Sequence, residues 1–266
     1  MGISPARTTA GNTTVPEHAC ASQSLPEGQS IPKKARAIAY RVQEAYGLVW
    51  VAMEEPVAPV PAWPRDAWND PRFRSFLTYR CVWKTSAGRA VENFMDFSHF
   101  PIVHPGLLGS PDRPVVDPKH VTGVVETEYG ITYAYEQHEP GELYSSGSEL
   151  SRYAYSLYLP FTIHFDRIEP NGRVTFVTLI TQPRSDAESE LYTFILRDHS
   201  QDVPDKVFGE FTNTVMEQDR VVVESQRPQE IPVDLREELH LKVPDENAVA
   251  YRRLLGRIDR AAAFMP

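Results

Sequence analysis

Between Glu92 and His104 the chain reads Glu-Asn-Phe-Met-Asp-Phe-Ser-His-Phe-Pro-Ile-Val-His, which sets Asn93, Asp96, His99 and His104 within one short segment. Each of these groups can ligate or orient a metal. Two imidazoles with a carboxylate suit Fe(II), which two His and one acid can hold while leaving positions open for other molecules. On an ideal helix His99 and His104 would point about 140° apart, because five residues at 3.6 per turn do not close. Pro101 lies between them, removes a backbone donor and bends the chain, so both rings can turn to one side. Asp96 stands three residues before His99, on the same face of a helix. It is either a ligand or an outer acceptor that fixes a His tautomer. Of the scattered histidines only His164, within a mostly apolar stretch, is a candidate pocket residue.

The elements around this segment follow from periodicity. Residues 90–100 have helical character and are stopped by Pro105-Gly106. Alternating, aromatic-rich stretches at 121–127, 130–137, 151–158, 162–168, 173–183 and 191–196 are separated by turn residues, as in an antiparallel meander. Residues 204–226 carry apolar side chains at Val207, Phe208, Phe211, Val215, Val221 and Val222, a spacing that predicts a long amphipathic helix against that sheet. A last helix is expected over 247–264. Upstream, 39–44 and 47–51 predict a hairpin turned near Ala45–Gly47, 66–70 a short helix and 73–84 a strand. The proline-dense stretch 56–64 suits neither helix nor central strand and marks a domain boundary. The class is therefore α+β, with residues 1–55 forming one unit, its first 35 residues loosely held, and 56–266 the second.

Asn93 to His104 resembles the N-x2-D-x2-H-x4-H iron motif of the Rieske non-haem iron oxygenases, closest to the vanillate demethylase and ring-hydroxylating terminal oxygenases. The resemblance implies a helix-grip fold for the catalytic domain and a third iron ligand, an Asp, far downstream on a long helix. Residues 217–226, Glu-Gln-Asp-Arg-Val-Val-Val-Glu-Ser-Gln, resemble that segment and put the ligand at Asp219. On this likeness His99, His104 and Asp219 hold Fe(II), Asp96 bridges electrons from a neighbouring subunit's cluster, and Asn93 lies near the iron. It further implies a homotrimer, electrons from NAD(P)H through a reductase or ferredoxin, and an aromatic substrate hydroxylated or O-demethylated with O2. Aromatic residues around 129–135 and 153–165, with Phe176, are candidates to line its pocket.

The family's [2Fe–2S] cluster needs C-x-H and C-x-x-H pairs, and neither pair occurs around Cys20 or Cys81. Residues 9–16 resemble the segment after the second pair, and 29–53 the last strands of a Rieske-type β domain. The reading is of a chain beginning just after the cluster, a truncated product inactive alone, with a cluster-free subunit as the other option. The competing class is a helix-grip module that binds a hydrophobic molecule without redox chemistry, and a zinc hydrolase is a third. A net charge of −9 argues against nucleic acid. No apolar run reaches membrane-span length, no signal peptide is visible, and two cysteines suit a reduced cytoplasmic setting.

Overall fold

A computed structural model describes residues 40–62, 65–140 and 150–262. Cys20, segment 9–16, residues 29–39, the expected turn at Gly141 and the last two residues of the expected final helix lie outside the described residues. The chain divides into two compact units, Met1–Val60 and Pro61–Pro266.

In the first unit, β1 (Arg41–Ala45) and β2 (Leu48–Ala52) form an antiparallel hairpin with Ala45 opposite Leu48. Its two turn residues, Tyr46 and Gly47, both have positive φ, 57° and 71°. That turn has the twist that two antiparallel strands require, and Gly47 adopts it without steric cost.

The second unit opens with α1 (Arg65–Asn69), β3 (Arg74–Trp83), α2 (Ala87–Met95) and α3 (Phe100–Val103). Then come β4 (Val125–Thr127), β5 (Gly130–His138), β6 (Leu150–Tyr158), β7 (Thr162–Ile168), β8 (Val174–Ser185) and β9 (Glu188–Arg197), and last α4 (Asp205–Ser225) and α5 (Glu246–Ala262). The strands make one seven-stranded antiparallel sheet in the order β3-β9-β8-β7-β6-β5-β4. The 121–127 stretch is strand only in its second half, because Pro118–His120 forms a single 3-10 turn just before it.

Alternation gives the sheet one apolar face. Tyr133, Tyr135, Tyr153, Tyr155 and Ile163 point inward together and join Met95, Met216, Val223, Tyr251 and Leu254 from the helices in one core cluster. Two tyrosine pairs cross adjacent strands as parallel stacks, Tyr133 on Tyr155 at 4.8 Å and Tyr135 on Tyr153 at 4.9 Å. Burying each such ring stabilises the fold by roughly 1.5–3 kcal/mol. Over this face lie α2 against β7 and β8, α4 against β3, and α5 against β5.

The buried stripe of α4 is Phe208, Thr212, Met216, Asp219 and Val223. Of the apolar positions expected to pack, Phe208 is buried and Val207, Phe211 and Val215 are partly buried, whereas Val221 and Val222 are exposed. The spacing 4-4-3-4 is a full helical stripe, and two of its members are polar. No described helix is long and apolar enough to cross a membrane.

Helix α2 is anchored by buried charge. Arg252 of α5 forks onto Glu92 (2.6 and 2.7 Å) and also reaches Glu238 (2.6 Å). Arg89 of α2 closes the group by pairing with the same Glu238 and donating to Pro228 O (3.1 Å). Both arginines are at most 3% exposed, so the carboxylates are what make their burial tolerable. Arg252→Met should lower the unfolding free energy by about 3 kcal/mol in chemical denaturation, because Glu92 is left buried without its fork. An unchanged midpoint would show that the network is dispensable. Arg89 and then Arg252 hold the Glu238 carboxyl down at about 2, with partial burial opposing them. Its contribution is thus complete above the unfolded value of 4.5 and is lost as pH falls from there toward 2. Melting temperature measured between pH 6 and pH 3 should fall less steeply in Glu238→Gln than in the parent, and parallel curves would contradict this.

Candidate metal centre

The helical stretch before the histidines is shorter than its periodicity suggests. It ends at Met95, and Asp96 caps it with extended backbone (φ −77°, ψ 123°). Oδ1 of Asp96 accepts from the Ser98 N–H (2.8 Å) and the Ser98 hydroxyl (2.6 Å), a local turn that competes successfully with the helix. The break therefore falls before His99, not at Pro101. Pro101 sits inside the first turn of α3, where it costs no hydrogen bond. His99 precedes α3 and His104 follows it, and the latter leaves helical geometry at ψ 53°. The break at Asp96 and the departure at His104 bring the rings together, with centroids 5.2 Å apart.

The flanking backbone is fixed from three directions. Met95 O accepts from Tyr133 OH of β5 (2.6 Å) and Asn247 Nδ2 of α5 (2.8 Å). On α4, Glu217 accepts from Tyr79 OH of β3 (2.9 Å), and Glu224 accepts from the Lys84 N–H (2.9 Å). Asp219 is thereby presented to the two histidines from a helix registered on β3.

Nε2 of His104 and Nε2 of His99 approach Asp219 Oδ1 at 3.1 and 3.3 Å. One ligand atom from each of the three residues lies within 4.8 Å of the others. His104 is fully buried and Asp219 nearly so. None of these three atoms completes a hydrogen bond. The opposite ring nitrogens are occupied: His99 Nδ1 pairs with Asp96 Oδ2 (3.0 Å) and His104 Nδ1 with Gln218 Oε1 (2.8 Å). Both partners are acceptors, so each Nδ1 carries the proton and each Nε2 keeps its lone pair. Three lone pairs then face one another, which is the donor set a divalent cation requires. Burial would lower His99, but Asp219 and Asp96 outweigh it and lift its pKa to about 9. Burial likewise works against the Asp219 carboxylate, which His104 and His99 nonetheless hold at about 2.

Asp96 is not in the converging set. It stands behind His99 with its side chain 36% exposed. Partial burial tends to raise its carboxyl, and the His99 and Ser98 contacts override this to hold it below the ordinary carboxylate value. Asn93 is half-buried on α2 and is not among the cavity-lining residues; its backbone carbonyl accepts the Asp96 N–H (3.1 Å). His164 lies on β7 between Ile163 and Phe165, with its ring turned away from the cavity. It contacts Thr178 Oγ1 (3.0 Å) and Asp166, and stacks on Phe176. Strand alternation accounts for that correction, since a neighbour of an inward residue points outward.

The three groups open onto a cavity that is in part continuous with solvent. Tyr153 and Phe165 line it as expected, whereas Phe176 and residues 129–135 do not. Phe94, Phe100, Phe211 and Met216 complete an apolar surface, and Arg167 with Thr175 adds polar groups from the sheet. Gln218 and Arg167 were not legible as site residues. The neighbour of Asp219 on a helix gives no signal of its own, and an Arg inside an alternating strand is one inward position among several.

Residues 83–261 match the model of the vanillate O-demethylase oxygenase C-terminal domain. Methylxanthine N1-demethylase NdmA of Pseudomonas putida is 27% identical over 235 residues, covering 87% of this chain and 64% of that protein. The probable methylxanthine N7-demethylase NdmC of Pseudomonas sp. (strain TJI-51) is 28% identical over 82% of this chain and 77% of its own length. The chain spans less than two thirds of the length of the first relatives it matches. The solved structure of an NdmA mutant with caffeine superposes with TM-score 0.74 at 25% identity, over 89% of this chain and 65% of that one. Dicamba monooxygenase bound to dicamba gives 0.73 at 17% identity over 92% and 76%, a likeness of fold. With more than half of its residues matched to that domain, the chain belongs to the vanillate O-demethylase oxygenase C-terminal domain family and is a catalytic domain of the Rieske oxygenase type.

Proposed function

We propose that His99, His104 and Asp219 hold one Fe(II) at the wall of the cavity, and that the domain hydroxylates or demethylates an aromatic compound there. The observation that carries this reading is the meeting of His99 Nε2, His104 Nε2 and Asp219 Oδ1 within 4.8 Å, with no hydrogen bond completed among them. Bound in this position, iron would supply the activation of O2, using electrons delivered from NAD(P)H through a reductase and a [2Fe–2S] cluster.

The protein's own contribution is geometric and electrostatic. Asp96 and Gln218 hold the Nδ1 protons of the two histidines, which fixes both rings with Nε2 turned to the metal. Phe94, Phe100, Phe165 and Met216 exclude water from the substrate space and offer flat apolar contact to an aromatic ring. Asp96, half-exposed and in contact with His99, is suited to receive electrons from a cluster on a neighbouring subunit. A trimer whose electron path crosses between chains would place it so. The sheet with α2, α4 and α5 over one face fits a helix-grip arrangement for residues 56–266. The 40–52 hairpin fits the end of a Rieske-type β domain within residues 1–55. A cytoplasmic location and a reductase or ferredoxin partner complete the reading.

Protein purified without oxygen should bind about one Fe(II) per chain, and His99→Ala or Asp219→Ala should abolish that binding while the far-ultraviolet circular dichroism spectrum stays the same. Reconstituted with a reductase, a cluster donor, NAD(P)H and O2, the iron-loaded protein should consume methoxy- or N-methyl-substituted aromatics. An iron-free protein that still binds aromatic compounds would leave the cavity as a simple binding module. Turnover without O2 and reductant would instead indicate hydrolysis. Gln218→Leu should weaken iron binding about 10- to 100-fold with little change in thermal stability, because the His104 ring loses the acceptor that orients it. Metal titration reads this directly, and an unchanged affinity would remove Gln218 from the account.

A further inference from the structure

Tyr133 and Tyr135 of β5 lie beside Tyr153 and Tyr155 of β6 on the inner face of the sheet. Tyr153 stacks on Tyr135 at 4.9 Å with the rings 1° from parallel, Tyr135 meets Tyr155 at 5.8 Å, and Tyr155 stacks on Tyr133 at 4.8 Å. This stack adjoins the metal centre at two points. Tyr153 lines the cavity together with His99, His104 and Asp219, and the Phe100 ring stands 6.4 Å from Tyr153 and 5.0 Å from His99. Burial raises the Tyr155 phenol, and the charges of Asp96, Glu139 and Asp219 reach it and act in the same direction.

The four hydroxyls are not equivalent. Tyr153 donates to Glu139 Oε1 at 2.7 Å, whereas Tyr133 donates to the backbone carbonyl of Met95. Among the described residues, Tyr153 is the one member of the stack that hands its hydroxyl to a carboxylate. Glu139 is 3% exposed and also accepts from the Gly109 N–H (2.9 Å) and from Gln137. Burial raises its carboxyl, and Arg167 leads the groups that hold it ionised. A phenol that loses an electron becomes a strong acid, so the loss lasts only where a base within hydrogen-bond reach takes the proton. A carboxylate can keep that proton and a backbone carbonyl cannot. The Arg167 guanidinium, 6.0 Å from the Tyr153 centroid, disfavours a positive ring there, which requires the electron and the proton to leave together.

We propose that Tyr153 and Glu139 form a proton-coupled electron donor, which gives the domain a second, protective redox activity: reduction of a one-electron oxidant left in the cavity when no substrate is there. The proposal rests on the oxygenase reading for the source of that oxidant. Tyr153 gives one electron to the oxidant and its phenolic proton to Glu139 Oε1. The phenolic O–H bond breaks, an O–H bond forms on the carboxylate, and Tyr153 becomes a neutral phenoxyl radical stacked on Tyr135. An external one-electron reductant returns the electron while Glu139 returns the proton, and the pair is restored. The oxidant is thereby spent on a recoverable side chain before it attacks the imidazoles that hold the metal.

The test loads the full chain with Fe(II) in the absence of oxygen, desalts it, mixes it with hydrogen peroxide without any aromatic compound, and freezes it for electron paramagnetic resonance. The parent should give a tyrosyl radical signal that narrows when the protein is grown on ring-deuterated tyrosine. Tyr153→Phe should lose that signal. Glu139→Gln, which keeps a hydrogen-bonding group and accepts no proton, should weaken it. A nitroso spin trap present during the reaction should leave its adduct on Tyr153 of the parent in peptide mass spectrometry, a readout that needs no variant to fold. Iron is assayed in the same samples. Full iron loading with no tyrosyl signal, a signal that survives Tyr153→Phe, or an adduct confined to other tyrosines would each overturn the proposal and leave the oxygenase reading standing. A chain that takes up no iron overturns both.

Discussion

Three lone pairs, two from imidazoles and one from a carboxylate, are held facing one another in a buried space, and much of the surrounding structure can be understood as what that requires. Left alone, the atoms would rotate apart or take up donors. Asp96 and Gln218 block rotation by occupying the far nitrogen of each ring. Tyr133 and Asn247 pin the carbonyl just before the first histidine loop, while Tyr79 and the Lys84 amide hold the helix that carries Asp219. A cation can relieve the repulsion, and the same two carboxylates, Asp219 and Asp96, lift His99 to about 9 against the effect of burial. Membership of the Rieske-type oxygenase catalytic family gives that geometry its chemical setting.

Holding polar groups in such a space calls for a rigid frame, and the frame is made of two materials. The stacked tyrosines of β5 and β6 provide broad apolar contact beneath the helices. The Arg89, Arg252, Glu92 and Glu238 group ties α2 to α5 through charges that are stable only when all partners are present. Buried ion networks of this kind add little over an apolar core in net stability, and they penalise any displacement that separates the partners. That property suits a helix whose C-terminal end sets the position of His99.

Much of the site was legible because its pieces lie close in sequence. His99, His104 and Asp96 declared themselves by residue type and spacing, and the strands at 162–168 and 191–196 by alternation. Other features were hidden for identifiable reasons. The α2 stop at Met95 is set by a side-chain turn at Asp96 and Ser98, which helical periodicity does not register. The buried face of α4 was legible only in part, because Val221 and Val222 are apolar yet exposed, while Thr212 and Asp219 are polar yet buried. A carboxylate within a 4-4-3-4 stripe is itself a signal that the stripe faces something other than a pure core. His164 was misplaced by a single residue of strand phase.

By itself the sequence determined a cluster of groups able to bind a metal, the antiparallel sheet with its helices, and two of the three converging residues, since local spacing and alternation are properties of the chain's immediate neighbours. The partnership of Asp219 with them came from likeness to a family motif, and only the tertiary structure put its oxygen at 3.1 and 3.3 Å from the two rings. The structure alone also chose Gln218 as the second ring's partner and set Arg167 on the cavity wall. Those outcomes depend on how α4 registers on β3 and on which face each strand turns inward, and both are fixed by packing between residues more than a hundred positions apart.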